Sequence, residues 1–130
     1  MSGTVSVNDK QTQVMKYTAS RIVNGKPVTA EVTRLSDCFN VLIYGGDKPH
    51  VGAVGIATPN GEITISEFPG HREGIVCREW VDSFLKSGMI PAVICAGIHY
   101  DGLDKAGIDS VLDSSAEMLT EILSVFSSLR

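Results

Sequence analysis

The sequence predicts an α+β fold: a mainly antiparallel sheet of about six strands with two helices packed on one face. Three observations predict it. Apolar and polar residues alternate, or run together in short β-rich stretches, through most of residues 14–66. An Asn24-Gly25 pair stands between two such stretches, and Asn-Gly suits the tight hairpin turn whose two central residues need positive φ. After Pro69-Gly70 the apolar spacing becomes helical. Strands followed by helices favour helices laid on an antiparallel sheet.

Each element has its own signal. Residues 1–13 are polar and read as a flexible arm ahead of a single domain spanning 14–130. Residues 14–23 are β-rich, and 28–33 alternate strictly on the far side of the Asn-Gly turn. Residues 39–44 read as a third strand, stopped by Gly45-Gly46-Asp47-Lys48-Pro49. Residues 51–58, rich in small residues, make a fourth; Pro59-Asn60-Gly61 turns it into a fifth at 62–66. Val76, Trp80, Val81, Phe84 and Leu85 then fall at helical spacing, with Lys86 and Gly88 as stop signals. Residues 90–98 are nearly all apolar, as in a strand covered on both faces, and Pro91 fits only near its start or at an edge. Ile108, Val111, Leu112, Leu119, Ile122, Leu123 and Phe126 mark an amphipathic helix over 105–127. Helices on one face leave the other face for water or a second subunit, so a homodimer is the expected partner there.

Composition excludes several classes. A chain of 130 residues supports one core. Its net charge of -4 and lack of any basic run argue against nucleic-acid binding. The longest apolar stretch, 90–98, is too short to cross a membrane, and residues 1–13 lack an apolar leader. Cys38, Cys77 and Cys95 form no CxxC and are odd in number. Free thiols in the reducing cytoplasm are therefore expected.

The chemistry concentrates at three histidines beside glycine or proline: Pro49-His50-Val51-Gly52, Gly70-His71-Arg72-Glu73 and Gly97-Ile98-His99-Tyr100-Asp101. Imidazole both ligates metals and moves protons near neutral pH. If the three loops share one end of the sheet, they line one pocket. His71 is expected to open the first helix, where partially positive amides disfavour imidazolium and attract phosphate. Arg72 adds an anion fork, and Gly45-Gly46 with Lys48 forms a second candidate phosphate cradle. Read alone, a loop histidine is usually a solvated surface residue and Asp101-Gly102 a plain turn. Trp80, Cys77, Cys95 and Met118 read as core. No H-E-x-x-H, G-x-S-x-G or zinc-deaminase set is present.

Together, Gly45-Gly46-Asp47-Lys48-Pro49-His50-Val51-Gly52-Ala53, Gly70-His71-Arg72-Glu73 and Ala96-Gly97-Ile98-His99-Tyr100-Asp101 resemble the prenylated flavin chaperone LpdD-like family. These are accessory proteins of gallate-type, UbiD-like decarboxylases. The resemblance implies a fold like that of proteasome-assembly chaperones. It also implies binding of prenylated FMN, or FMN, and its delivery to or maturation for a UbiD-type decarboxylase, without turnover by the chain itself. His50, His71, Glu73 and His99 would line the cofactor or metal site. Charge adds Lys48 and Arg72, the flat ring adds Tyr100 with Ile98 and Val51 as contacts, and Asp101 completes the third segment. A divalent zinc or manganese ion on His50, His71 and His99 could bridge the phosphate. Two readings stand beside this one. A small metal-dependent hydrolase or isomerase would use the three histidines with Glu73 as general base. A structural module would leave the histidines incidental. Metal-linked binding is expected to weaken below about pH 6, because a ligating imidazole must be neutral.

Overall fold

The structure, a computed structural model, describes residues 4–7 and 14–128. Nine elements follow in order: β1 (Thr4–Val7), β2 (Val14–Val23), β3 (Lys26–Leu35), β4 (Cys38–Gly46), β5 (Ala53–Ala57), β6 (Ile63–Glu67), α1 (Gly74–Lys86), β7 (Ala92–His99) and α2 (Lys105–Ser128). They build one seven-stranded sheet in the order β1-β2-β3-β4-β7-β5-β6. Six of these strands are the ones expected. The seventh, β1, falls in the segment read as an arm and pairs antiparallel with β2; the rest of residues 1–13 lie outside the described residues.

The β2–β3 hairpin turns at Asn24 and Gly25 with φ of 49° and 76°, the left-handed pair that the Asn-Gly sequence supplies. All pairings are antiparallel except β4 with β7. That exception sets up the functional end. Parallel pairing brings the last residues of β4 and β7 side by side, Gly46 opposite His99. The antiparallel partner β5 therefore begins at this end, with Ala53 opposite Ala96, and β6 finishes there, with Glu67 opposite Ala53. The loop segment 47–52, the turn before α1 and the turn before α2 thus converge at one edge of the molecule.

Alternation decides which side chains form the core. Met15, Tyr17, Ala19, Val28, Ala30, Val32, Val41, Ile43, Ile94 and Ala96 are buried on one face. On it α1 lies over β5, β6 and β7, and α2 over β2 and β3. Trp80 is fully buried and donates its indole N–H to Ser115 Oγ at 2.9 Å, which ties the helices together and removes the cost of an unpaired buried donor. Cys77 and Met118 are core, as expected. Cys95 is a correction: it is half-buried, because its place one residue from Ile94 and Ala96 turns it to the opposite face. That face carries Leu42, Val54, Ile56, Val93 and Cys95, with Ile56 and Val93 each 39% exposed.

Candidate functional site

His50 belongs to the irregular stretch between β4 and β5 rather than to a strand, and His71 to the turn three residues before α1. His99 does end β7. Two glycines let the backbone carry these segments together. A Cβ on Gly97 would lie 1.6 Å from the His50 carbonyl oxygen. One on Gly52 would lie 2.5 Å from Glu73 Oε1 and 2.8 Å from His71 Nδ1. Any other residue at these positions would separate the groups the fold has gathered.

What it gathers is His50, His71 and Glu73, whose ligating atoms all lie within 4.8 Å of one another. His50 Nδ1 is 2.8 Å from the Lys48 carbonyl oxygen. A carbonyl only accepts, so Nδ1 carries a proton and donates it. His50 Nε2 then faces Glu73 Oε2 at 2.7 Å and His71 Nδ1 at 3.1 Å. Glu73 is itself an acceptor on both oxygens: Arg72 N–H donates to Oε1 at 3.0 Å and Ile98 N–H to Oε2 at 3.2 Å. Its side chain is only 10% exposed. A proton on His50 Nε2 donates to Glu73, and the same three atoms lie close enough together to hold a divalent cation.

The group forms one wall of a cavity of about 470 Å³, within the usual range for small-molecule sites. Arg72 and His99 complete the polar wall. His99 stands outside the three-residue group, its Nε2 2.9 Å from Asp101 Oδ1. Asp101 is fixed in turn by its N–H, which donates to Asp47 Oδ2 at 2.9 Å. The opposite wall is apolar: Val76 of α1, then Leu103, Ile108, Val111 and Leu112 at the start of α2. Ile98 and Tyr100 join the two walls. The Tyr100 hydroxyl donates to the Lys26 carbonyl at 2.9 Å, and burial, then the Asp47 charge, push its phenol above the ordinary range.

Some expectations need correction. The first amide of α1 is taken: Gly74 N–H donates to Glu67 Oε2 at 2.8 Å, and just ahead of the helix Arg72 N–H donates to Glu73. Gly45-Gly46 is not a cradle either. Both glycines end β4, and a Cβ on Gly46 would lie 2.1 Å from the His99 carbonyl oxygen. Asp47 and Lys48 N–H both turn to that same carbonyl, at 2.6 and 3.3 Å. Lys48 contributes its carbonyl to His50, and its side chain is not part of the cavity wall. Val51 lies off the cavity, in a shallow groove with Leu42 and Tyr44 on the other side of His50. Cys77 needs no correction: it is core as expected, and burial, then the Cys95, Glu73 and Glu67 charges, push its thiol up to about 12, far from the thiolate a nucleophile needs.

Sequence reasoning missed the apolar wall. Val111 sits in the buried stripe of α2 and Ile108 and Leu112 border it, and nothing in their spacing separates core from cavity. Gly102-Leu103-Asp104, a turn ahead of a helix, was the available hint.

With this geometry in place, comparison with known families is decisive. The sequence profile of the prenylated flavin chaperone LpdD-like domain matches residues 23–127. This chain belongs to that family. The match spans every element from the β2–β3 turn to α2, including all three histidine segments. Comparison with curated proteins gives no match. The family is one of prenylated flavin chaperones, and an amphipathic, open-mouthed cavity accords with that role. Among the described residues no helix is long and apolar enough to cross a membrane.

Proposed function

We propose that this chain binds prenylated FMN in the cavity, together with a divalent cation on His50, His71 and Glu73, and delivers or matures it for a UbiD-type decarboxylase. The observation that carries the reading is the convergence of three cation-seeking atoms on one wall of a cavity whose other wall is apolar. Two imidazoles and a carboxylate suit zinc or manganese, and the cation would offer its remaining positions to the cofactor's phosphate. Arg72 and His99 stand on the same wall as further anion partners. Tyr100 and Ile98 are the contacts for the flat ring.

The hydrolase reading, with Glu73 as general base, is the second reading: Glu73 accepts from Arg72 N–H and Ile98 N–H and faces His50. Binding without turnover suits the site better. Free cysteines accord with a cytoplasmic setting. The open sheet face supports a homodimer. From β4 to β6 it presents Asn40, Leu42, Val93, Cys95, Val54, Ile56 and Thr64 without a formal charge, so two copies of an acidic chain can meet there without opposing like charges. Sedimentation at micromolar concentration tests it; a monomer throughout removes it.

Calorimetric titration tests the main reading, with zinc or manganese alone and then with FMN and prenylated FMN. One cation per chain and tighter flavin binding in its presence are expected, with both effects weakening below about pH 6. No binding of either flavin, with cation present, overturns the proposal.

A further inference from the structure

We infer that the aliphatic shelf at the start of α2 (Leu103, Ile108, Val111 and Leu112, facing Val76) recognises the prenyl-derived hydrocarbon of the cofactor and so separates prenylated from plain flavin. The inference rests on the cavity being the flavin site.

Two members of the shelf, Ile108 and Leu112, are not explained by folding. The buried stripe of α2 is Val111, Ser115, Met118, Leu119, Ile122 and Phe126, and it faces β2 and β3. Ile108 and Leu112 lie beside that stripe, one helical turn apart, and remain 48% and 39% exposed. Both line the cavity. Their neighbours Asp109, Ser110, Asp113 and Ser114 show that this turn of α2 is otherwise made for water. Two large aliphatic side chains left half-covered around a concave site indicate an apolar occupant.

The shelf also has the wrong chemistry for the rest of the cofactor. None of its side chains carries a hydrogen-bond donor or acceptor. A phosphate or the polar edge of a flavin ring placed there would lose water without gaining a partner. Non-planar hydrocarbon loses nothing and buries apolar surface. The polar wall with His50, His71, Glu73 and Arg72 takes the opposite end of the same ligand. Finally, the shelf is set before anything binds. Gly107 N–H donates to Asp104 Oδ1 at 2.8 Å and caps the helix. Leu103 packs so closely on Gly107 that a Cβ there would lie 2.3 Å from its Cδ1. Little ordering entropy remains to be lost on binding.

The test is the double variant Ile108→Ala/Leu112→Ala, titrated with prenylated FMN, with FMN and with zinc alone. Its partner variant, Ile108→Leu/Leu112→Ile, keeps the hydrocarbon. Zinc affinity within twofold of the parent reports that the alanine variant is folded. The expected result is a loss of about 10-fold or more for prenylated FMN, little change for FMN, and recovery in the conservative variant. Equal loss for both flavins, or no loss for either, overturns the inference while leaving the flavin site standing. So does an unchanged prenylated-flavin affinity with altered sedimentation, which would make the shelf a protein contact. If the parent binds neither flavin, the site reading itself fails, and this inference with it.

Discussion

Two polar clusters in this molecule look alike in composition and differ in kind. On the core side of β2, Tyr17 and Arg21 meet Glu117 and Glu121 of α2. Arg21 Nε lies 3.1 Å from Glu117 Oε1, and its terminal nitrogen 3.0 Å from Glu121 Oε1. The Tyr17 hydroxyl donates to Glu121 Oε2. Donors meet acceptors throughout. Burial, and then the Glu121 hydrogen bond and charge, push the Tyr17 phenol up to about 12, so it stays protonated and donating. At the other end of the molecule, His50, His71 and Glu73 bring ligating atoms within 4.8 Å of one another on the wall of a cavity. The first cluster is complete and fastens α2 to the sheet. The second gathers three ligating atoms on a cavity wall and is where we propose that a cation binds.

The comparison breaks most sharply at the glycine that holds the second cluster together. Gly97→Ala forces a Cβ to within 1.6 Å of the His50 carbonyl oxygen, both of them backbone-constrained. A loss of about 3 kcal/mol or more is expected in urea unfolding, along with loss of cation binding. Next comes His71→Ala, which removes a ligand but no hydrogen-bond donor the fold depends on. Zinc affinity should fall about 100-fold, with the unfolding midpoint unchanged. A parallel fall in stability would mean the second cluster is structural like the first.

Tyr17→Phe is the reverse experiment. It leaves Glu121 without one donor and should cost about 1–2 kcal/mol, with zinc affinity untouched. The smallest effect is a pH dependence. Burial alone would raise the Glu121 carboxyl, but hydrogen bonds from Tyr17 and Arg21, with the Arg21 charge, hold it below its ordinary value of 4.5. The unfolded chain therefore binds that proton more tightly than the folded one. The stability contributed by Glu121 is present above about pH 4.5 and is lost as pH falls through the lowered folded value. Glu121→Gln should flatten the acid limb of stability in that window. An unchanged limb would remove the cluster's electrostatic role.

Much of this was legible in the chain. Asn24-Gly25 specified its hairpin because few dipeptides tolerate two left-handed residues. The helical stripe from Val76 to Leu85 specified α1, and Trp80 its buried face. The three histidine segments were visible because glycine and proline interrupt apolar runs there. Less legible was the third member of the His50–His71 group. The sequence reading put His99 there and gave Glu73 as a cofactor-lining residue or general base; the folded turn before α1 swings the Glu73 carboxylate onto His50, while Asp101 draws His99 aside. The α1 amides were misread for a related reason. An open helix start and one already occupied by Glu67, seven residues upstream, look the same along the chain.

The sequence by itself determined six of the seven strands, both helices, most inward faces and the residue types at the site, because periodicity and turn chemistry act over a few neighbouring positions. The tertiary structure alone decided that β4 and β7 run parallel, that their ends therefore stand together, and which side chains meet across the gap. Those outcomes depend on pairing between segments roughly fifty residues apart, and no local pattern encodes a partner at that distance.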